Sequence, residues 1–258
     1  MRELFGLLAL LSRIRLSRSR IDLESASRQQ FLFPAAGAFL GIIFTLAALL
    51  AFNFLDGIVD GLIISLLVVI FIYFLTGIIH LEGLADFGDG LMASGDQERK
   101  KGAMKDIAVG ASGTFFMIIA VLMLVLLVSD FWSWVDSPPF LLWSERIPLV
   151  LGLVVAEVGA KLAMNTVMVI GPSSHKGMGS IFVEAATPGR YVAALAIGIV
   201  IALFASGLYG LIVLLGPIAG AVIALVARKH FGGVGGDSFG AANEVGRLLI
   251  LLAWVIML

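Results

Sequence analysis

FLFPAAGAFLGIIFTLAALLAFN, residues 31–53, contains no charged side chain. A helix needs about 20 predominantly apolar residues to cross the hydrocarbon core of a bilayer, so this stretch reads as a transmembrane span. Working outward, comparable runs follow at about 58–79, 107–129, 147–170, 191–207, 209–227 and 240–258. The last opens with polar residues, and only SGLYG separates the fifth from the sixth, which suits a tight helical hairpin. The reading is an all-α, polytopic membrane helix bundle of about seven spans, one membrane-embedded domain over residues 1–258.

Composition agrees. The chain is 60% hydrophobic and 14% charged, with a mean hydropathy of +1.08, against about 25% charged in soluble domains. Alternating strands of about 10 residues, the mark of a membrane β-barrel, are absent from the sequence. There is no Cys, which excludes disulfides, thiolate metal sites and a thiol nucleophile. The three His residues are far apart and form no HExxH spacing. Residues 1–30 carry Arg13, Arg15, Arg18 and Arg20 behind a short apolar core without a small-residue cleavage site, so an interfacial helix near headgroups is expected rather than a signal peptide.

Fifteen of the 17 Lys and Arg fall in the N-terminal segment and in the loops after spans 2, 4 and 6, with Arg247 counted in the last of these. Arg146 lies on the opposite side and Lys161 within span 4. The positive-inside rule then places the N-terminus and those loops in the cytoplasm. The polar, Gly-rich loops share that side, so an active site facing the cytoplasm is expected. No internal repeat marks an inverted-repeat transporter.

The loop after span 2, HLEGLADFGDGLMASGDQERKKGAMKD (residues 80–106), holds six carboxylates. If it continues as a helix, Glu82, Asp86 and Asp89 share one face through spacings of four and three. Like charges so placed repel, and a divalent cation such as Mg²⁺, which takes hard oxygen ligands, resolves the repulsion. Asp106, at the start of span 3, is placed to return to the same point. Gly83, Gly88 and Gly90 thin the helix surface for close approach. Asp96 and Glu98 read as solvated partners of Arg99–Lys101. Within span 4, Glu157 and Lys161 stand in the favourable i,i+4 order, either as a functional pair or as a structural bridge, with Asn165 on the same inward face. Asp60 reads as interfacial.

Two families share features with these residues. Asp86, Asp89, Gly90 and Ala93, followed by Gly102 and Asp106, resemble the start of the CDP-alcohol phosphotransferase signature. Ser94 and Gly110 depart from it where that family has Arg and Asp. A fuller resemblance is to the cobalamin-5′-phosphate synthases, the adenosylcobinamide-GDP ribazoletransferases. It is carried by His80, Glu82, Gly83, Leu84, Ala85, Asp86, Asp89, Gly90 and Leu91, then Met104, Lys105, Asp106, Gly110 and Gly113. The run Gly232, Gly233, Gly236, Asp237, Gly240, Ala241 and Glu244 extends it, with Gly235 in place of the usual Thr.

That resemblance implies joining of adenosylcobinamide-GDP to α-ribazole, or to its 5′-phosphate, with release of GMP, the step that completes the nucleotide loop of cobalamin. It implies Mg²⁺ held by Asp86 and Asp89 with Glu82 and Asp106 nearby, one of the four also serving as base. Lys105 is a candidate phosphate contact or a positive-inside anchor. His175 and Lys176 are candidates for the nucleotide or the ribazole phosphate, and Gly236, Asp237 and Glu244 for a phosphate-binding turn. The implied partners are the two substrates and the lipid bilayer of the cell membrane, with no nucleic acid; a homo-oligomer is compatible with the chain. Phospholipid synthesis from a CDP-alcohol stands as the second reading, and a cation-coupled transporter as the third.

Overall fold

The computed structural model describes residues 2–14, 22–136 and 151–257, all helical or loop apart from one isolated parallel bridge, Ser173 to Val234. Arg15, Arg18, Arg20 and Arg146 and the first residues of the expected fourth span lie outside the described residues. The helices are α1 (Arg2–Leu11), α2 (Leu23–Arg28), α3 (Phe33–Leu55), α4 (Gly61–Thr76), α5 (Ile79–Met92) and α6 (Gln97–Met104). They continue with α7 (Ala111–Asp136), α8 (Gly152–Ile170), α9 (Met178–Ala185), α10 (Pro188–Ser206), α11 (Leu215–Phe231) and α12 (Gly236–Met257).

The sequence sets their ends. Pro34 and Pro188 stand in the first turns of α3 and α10, where a missing N–H is free of penalty. Asp60, expected to be interfacial, caps α4 by accepting from the Leu62 N–H at 2.8 Å. Asp96 caps α6, and Glu98 pairs with Lys101 on its exposed face. α11 ends at Gly232, whose φ of 72° is left-handed, behind Arg228, Lys229 and His230, which suit the helix's negative end.

α8 is the central post. Seventeen of its 19 residues are buried, and it packs against α3, α10, α11 and α12. Small residues let the backbones meet: a methyl group on Gly41 would come within 2.6 Å of the Val154 Cα. The outer helices show the opposite pattern. Leu46, Leu50, Ile70, Phe74, Phe115 and Leu122 are exposed large hydrophobics on α3, α4 and α7, an apolar belt far beyond the patches a water-facing surface carries. The chain is a multi-pass membrane protein.

Seven spans were expected. Among the described residues five segments are long and apolar enough to cross, or six if α4 and α5 count as one broken span. The difference lies in residues 188–231, read as two spans, where α10, a 3-10 turn and α11 follow one another as a single helical run of 44 residues. There the 3-10 turn Gly207–Leu214 folds back on α10, bringing Gly210 against the Ala202 carbonyl.

Two further expectations change. The acidic segment does not extend span 2. Gly77, at φ 68°, breaks the helix, and α5 leaves α4 at 93° to lie across the end of the bundle, outside the segments that run along it. α1 does not merely rest on headgroups, because Leu7, Leu8 and Leu11 on one of its faces are buried in the bundle core.

Candidate active site

α5 crosses the N-terminal ends of α7 and α12 and is fixed to both. At α12, glycine meets glycine: a Cβ on Gly240 would lie 2.7 Å from the His80 carbonyl oxygen and 3.0 Å from the Gly83 Cα. At α7, Asp89 accepts from the Gly110 N–H at 2.7 Å and the Gly113 N–H at 2.8 Å. These are donors that a helix start leaves unpaired, so Asp89 caps α7 from a neighbouring helix. A methyl on either glycine would strike that carboxylate.

The two long loops pair next to this crossing. Ser174 N–H donates to the Val234 carbonyl at 2.9 Å, and Val234 N–H to the Pro172 carbonyl at 2.8 Å. Gly233 lies so close to Pro172 and Ser174 that a side chain there would clash with both backbones. The Gly-rich turn is thus a docking surface for the 171–177 loop, and it sets His175 beside the start of α12.

Around the crossing lies a cavity of about 260 Å³. Glu82 and Asp86 of α5, Gly236 and Asp237 of α12, and apolar residues of α1, α3, α8 and α9 line it. Glu82, Asp86 and Asp237 form no ion pair with any described Lys or Arg. Burial, then the neighbouring Asp237, Glu82 and Asp89, push the Asp86 carboxyl up to about 6. Asp237 also lines a small second cavity of about 40 Å³ with Lys101, Lys105, Ser174 and His175. One carboxylate therefore stands between an acidic and a basic compartment.

The expected site residues divide accordingly. Glu82, Asp86, Gly236 and Asp237 share the larger cavity, and Lys105 and His175 share the smaller. Lys176 is exposed next to His175. Asp89 faces α7 rather than the cavity. Asp106 does not return to the carboxylates: α7 begins at Ala111, and Asp106 is exposed in the loop before it, accepting from Ala108 N–H at 3.1 Å. Glu244 is buried two turns into α12, where Tyr73, Asn243 and Arg247 take its oxygens.

Arg247, counted as a loop charge from the sequence, is 1% exposed inside the bundle. Its guanidinium meets Glu157 and Glu244, while Lys161 donates to Asn243 and lies 3.5 Å from Glu157. Two acids and two bases from α8 and α12 thus balance. Asn165 faces inward as expected and donates to the Gln30 carbonyl at 3.0 Å.

The carboxylate set suits a hard divalent cation in one specific way. Among the described residues no three His, Asp or Glu side chains close into a finished metal cage. Mg²⁺ rarely asks for one; it binds one or two carboxylates and completes its shell with water and substrate phosphate. Unpaired oxygens on the wall of an open cavity match that demand.

The sequence profile described as cobalamin-5-phosphate synthase matches residues 3–255. The chain belongs to this family. Membership makes it a transferase of cobalamin biosynthesis. Among curated members, the adenosylcobinamide-GDP ribazoletransferase of Methanococcoides burtonii is 33% identical over 255 residues, covering 98% of this chain and 90% of the relative. That of Methanocella arvoryzae is 37% identical over 246 residues, covering 89% and 86%. That of Methanosarcina barkeri is 29% identical, covering 96% and 89%. No solved structure matches the chain.

Proposed function

We propose that this chain is a Mg²⁺-dependent adenosylcobinamide-GDP ribazoletransferase of the cell membrane, working on its cytoplasmic face. The observation that carries the chemistry is the cavity walled by Glu82, Asp86 and Asp237, with Lys105 and His175 on the far side of Asp237. Family membership and the names of the relatives supply the reaction. The bias of Lys and Arg toward the loops around this cavity supports the orientation.

In this reading a ribose hydroxyl of α-ribazole, or of its 5′-phosphate, attacks the phosphorus nearer the cobinamide. A P–O bond forms to the ribose, the bond to GMP breaks, and the hydroxyl proton is lost. Such transfers depend on positioning and charge neutralisation rather than covalent catalysis. Bound Mg²⁺ would neutralise diphosphate charge, held by one or two of Glu82, Asp86 and Asp237. Asp86, on the lining of the same cavity, is the proton acceptor in this reading. The first N–H groups of α12, at Gly236 and Asp237, and the side chains of Lys105 and His175 receive phosphate oxygens. Asp89 acts one step back, fixing α5 to α7 so that Asp86 keeps its place.

The test is purified protein with Mg²⁺, adenosylcobinamide-GDP and α-ribazole or its phosphate, scored for GMP. Stoichiometric GMP and cobamide support the reading. No GMP, with CMP released from a CDP-alcohol instead, overturns it.

A further inference from the structure

The proposed chemistry occupies only one wall of the larger cavity. The other is formed by Leu11 of α1, Phe33 of α3, Met164 and Met168 of α8, and Phe182 and Phe239. Phe33 and Phe182 sit with ring centroids 6.0 Å apart and tilted 44°. This wall is braced: Gln30 donates to the Phe182 carbonyl at 3.1 Å and accepts from Asn165. His80 also lines the cavity and is 7% exposed.

We infer that this apolar half is the seat of the acceptor's aromatic base, a flat two-ring heterocycle with apolar substituents and one free ring nitrogen. The inference rests on the ribazoletransferase reading and adds which substrate, and which end of it, the cavity takes. A corrin macrocycle is far too large for about 260 Å³. Guanine is small enough, but its edge carries several donors and acceptors that would lose water against Leu, Met and Phe without replacement partners. The dimethylbenzimidazole of ribazole has two methyl groups, a fused apolar face and a single unsubstituted nitrogen. Its face suits the methionine sulfurs and phenylalanine rings. With the base seated there, the ribose extends toward Asp86, which lines the same cavity.

The inference is tested in lipid nanodiscs with α-ribazole, its analogue on unsubstituted benzimidazole, and the corresponding adenine nucleoside. Wild type should use the adenine nucleoside at least tenfold less efficiently than α-ribazole. Met168→Phe, which fills the wall, should raise the KM for α-ribazole more than fivefold and leave that for adenosylcobinamide-GDP within twofold. It should also narrow the preference for the dimethylated base, which a general loss of structure would not do. If Met168→Phe does not fold, Phe182→Leu reports in the opposite sense, by admitting a bulkier diethyl-substituted base. Equal effects on both substrates, or an unchanged ranking of bases, overturn the pocket while leaving the enzyme's function standing. No turnover by wild type with any acceptor overturns the function and the pocket with it. Calorimetric binding of α-ribazole without the donor substrate separates the two, because a base pocket binds it and Met168→Phe weakens that binding.

Discussion

The Arg247 Nε lies 2.5 Å from the Glu157 carboxylate, across 90 residues of chain, with both side chains 2% exposed. The contact joins α12 to α8, the post around which the bundle is built. Removing one member leaves a buried charge uncompensated, which costs about 3–5 kcal/mol. Glu157→Leu should therefore lower the melting temperature sharply in detergent. Glu157→Leu combined with Arg247→Leu restores neutrality, since Glu244 and Lys161 still balance, and should recover much of the loss. Thermal unfolding of the four species forms a double-mutant cycle; a double variant as unstable as the sum of the singles would refute the coupling.

Asp86 and Asp89 look equivalent in sequence and should behave differently. Asp86→Asn removes a cavity carboxylate and a proton acceptor, so turnover should fall by about 10²–10⁴-fold with folding intact. Asp89→Asn keeps an acceptor for one α7 N–H but turns an amide toward the other. It should destabilise the protein by about 0.5–2 kcal/mol, the usual range for a lost cap, and reduce activity through the shifted helix. Activity and melting temperature measured on both variants distinguish the roles.

That contrast shows where sequence was informative. The apolar runs gave the all-helical membrane fold, because length and hydropathy are local properties. The i,i+4 spacing of Glu82 and Asp86 correctly placed two carboxylates on one wall. What stayed hidden depended on the 93° turn at Gly77 and on pairing at long range. Asp89 reads as a ligand until α7 is known to end on it. Arg247 and Glu244 read as a loop charge and a phosphate contact until α8 is known to present Glu157 and Lys161 to them. One signal was available: a Glu and an Arg three residues apart inside an apolar span suggest a buried pair.

The pH dependence of stability follows from the burial of Asp86 and from the carboxylates around it. Its folded carboxyl titrates at about 6, above the roughly 3.9 of an unfolded Asp. The folded protein thus binds more protons in this window, and stability declines as pH rises through it. Without divalent cations, Asp86→Asn should raise the melting temperature at pH 8, where wild type carries the repelling charge. At pH 4, where wild-type Asp86 is largely protonated when folded, the difference should shrink. A melting-temperature difference that is the same at both pH values would show that burial and the neighbouring carboxylates do not raise the Asp86 carboxyl.

The glycine contact between α5 and α12 sets the distance between Asp86 of one helix and Asp237 of the other. A methyl at Gly240 would stand 2.7 Å from the His80 carbonyl and 3.0 Å from the Gly83 Cα, both backbone atoms of the crossing helix. Backbone cannot rotate aside as a side chain can, so Gly240→Ala must push α5 outward, at about 1–3 kcal/mol for overpacking. Asp86 moves with it and Asp237 does not. The expected result is a several-fold rise in the Mg²⁺ concentration for half-maximal GMP release, beyond the modest loss of stability. Gly189→Ala is the matched control, because a Cβ there meets nothing within 4 Å and should leave the Mg²⁺ requirement unchanged. An unaltered Mg²⁺ requirement in Gly240→Ala would mean that the spacing of the two carboxylates does not govern the metal.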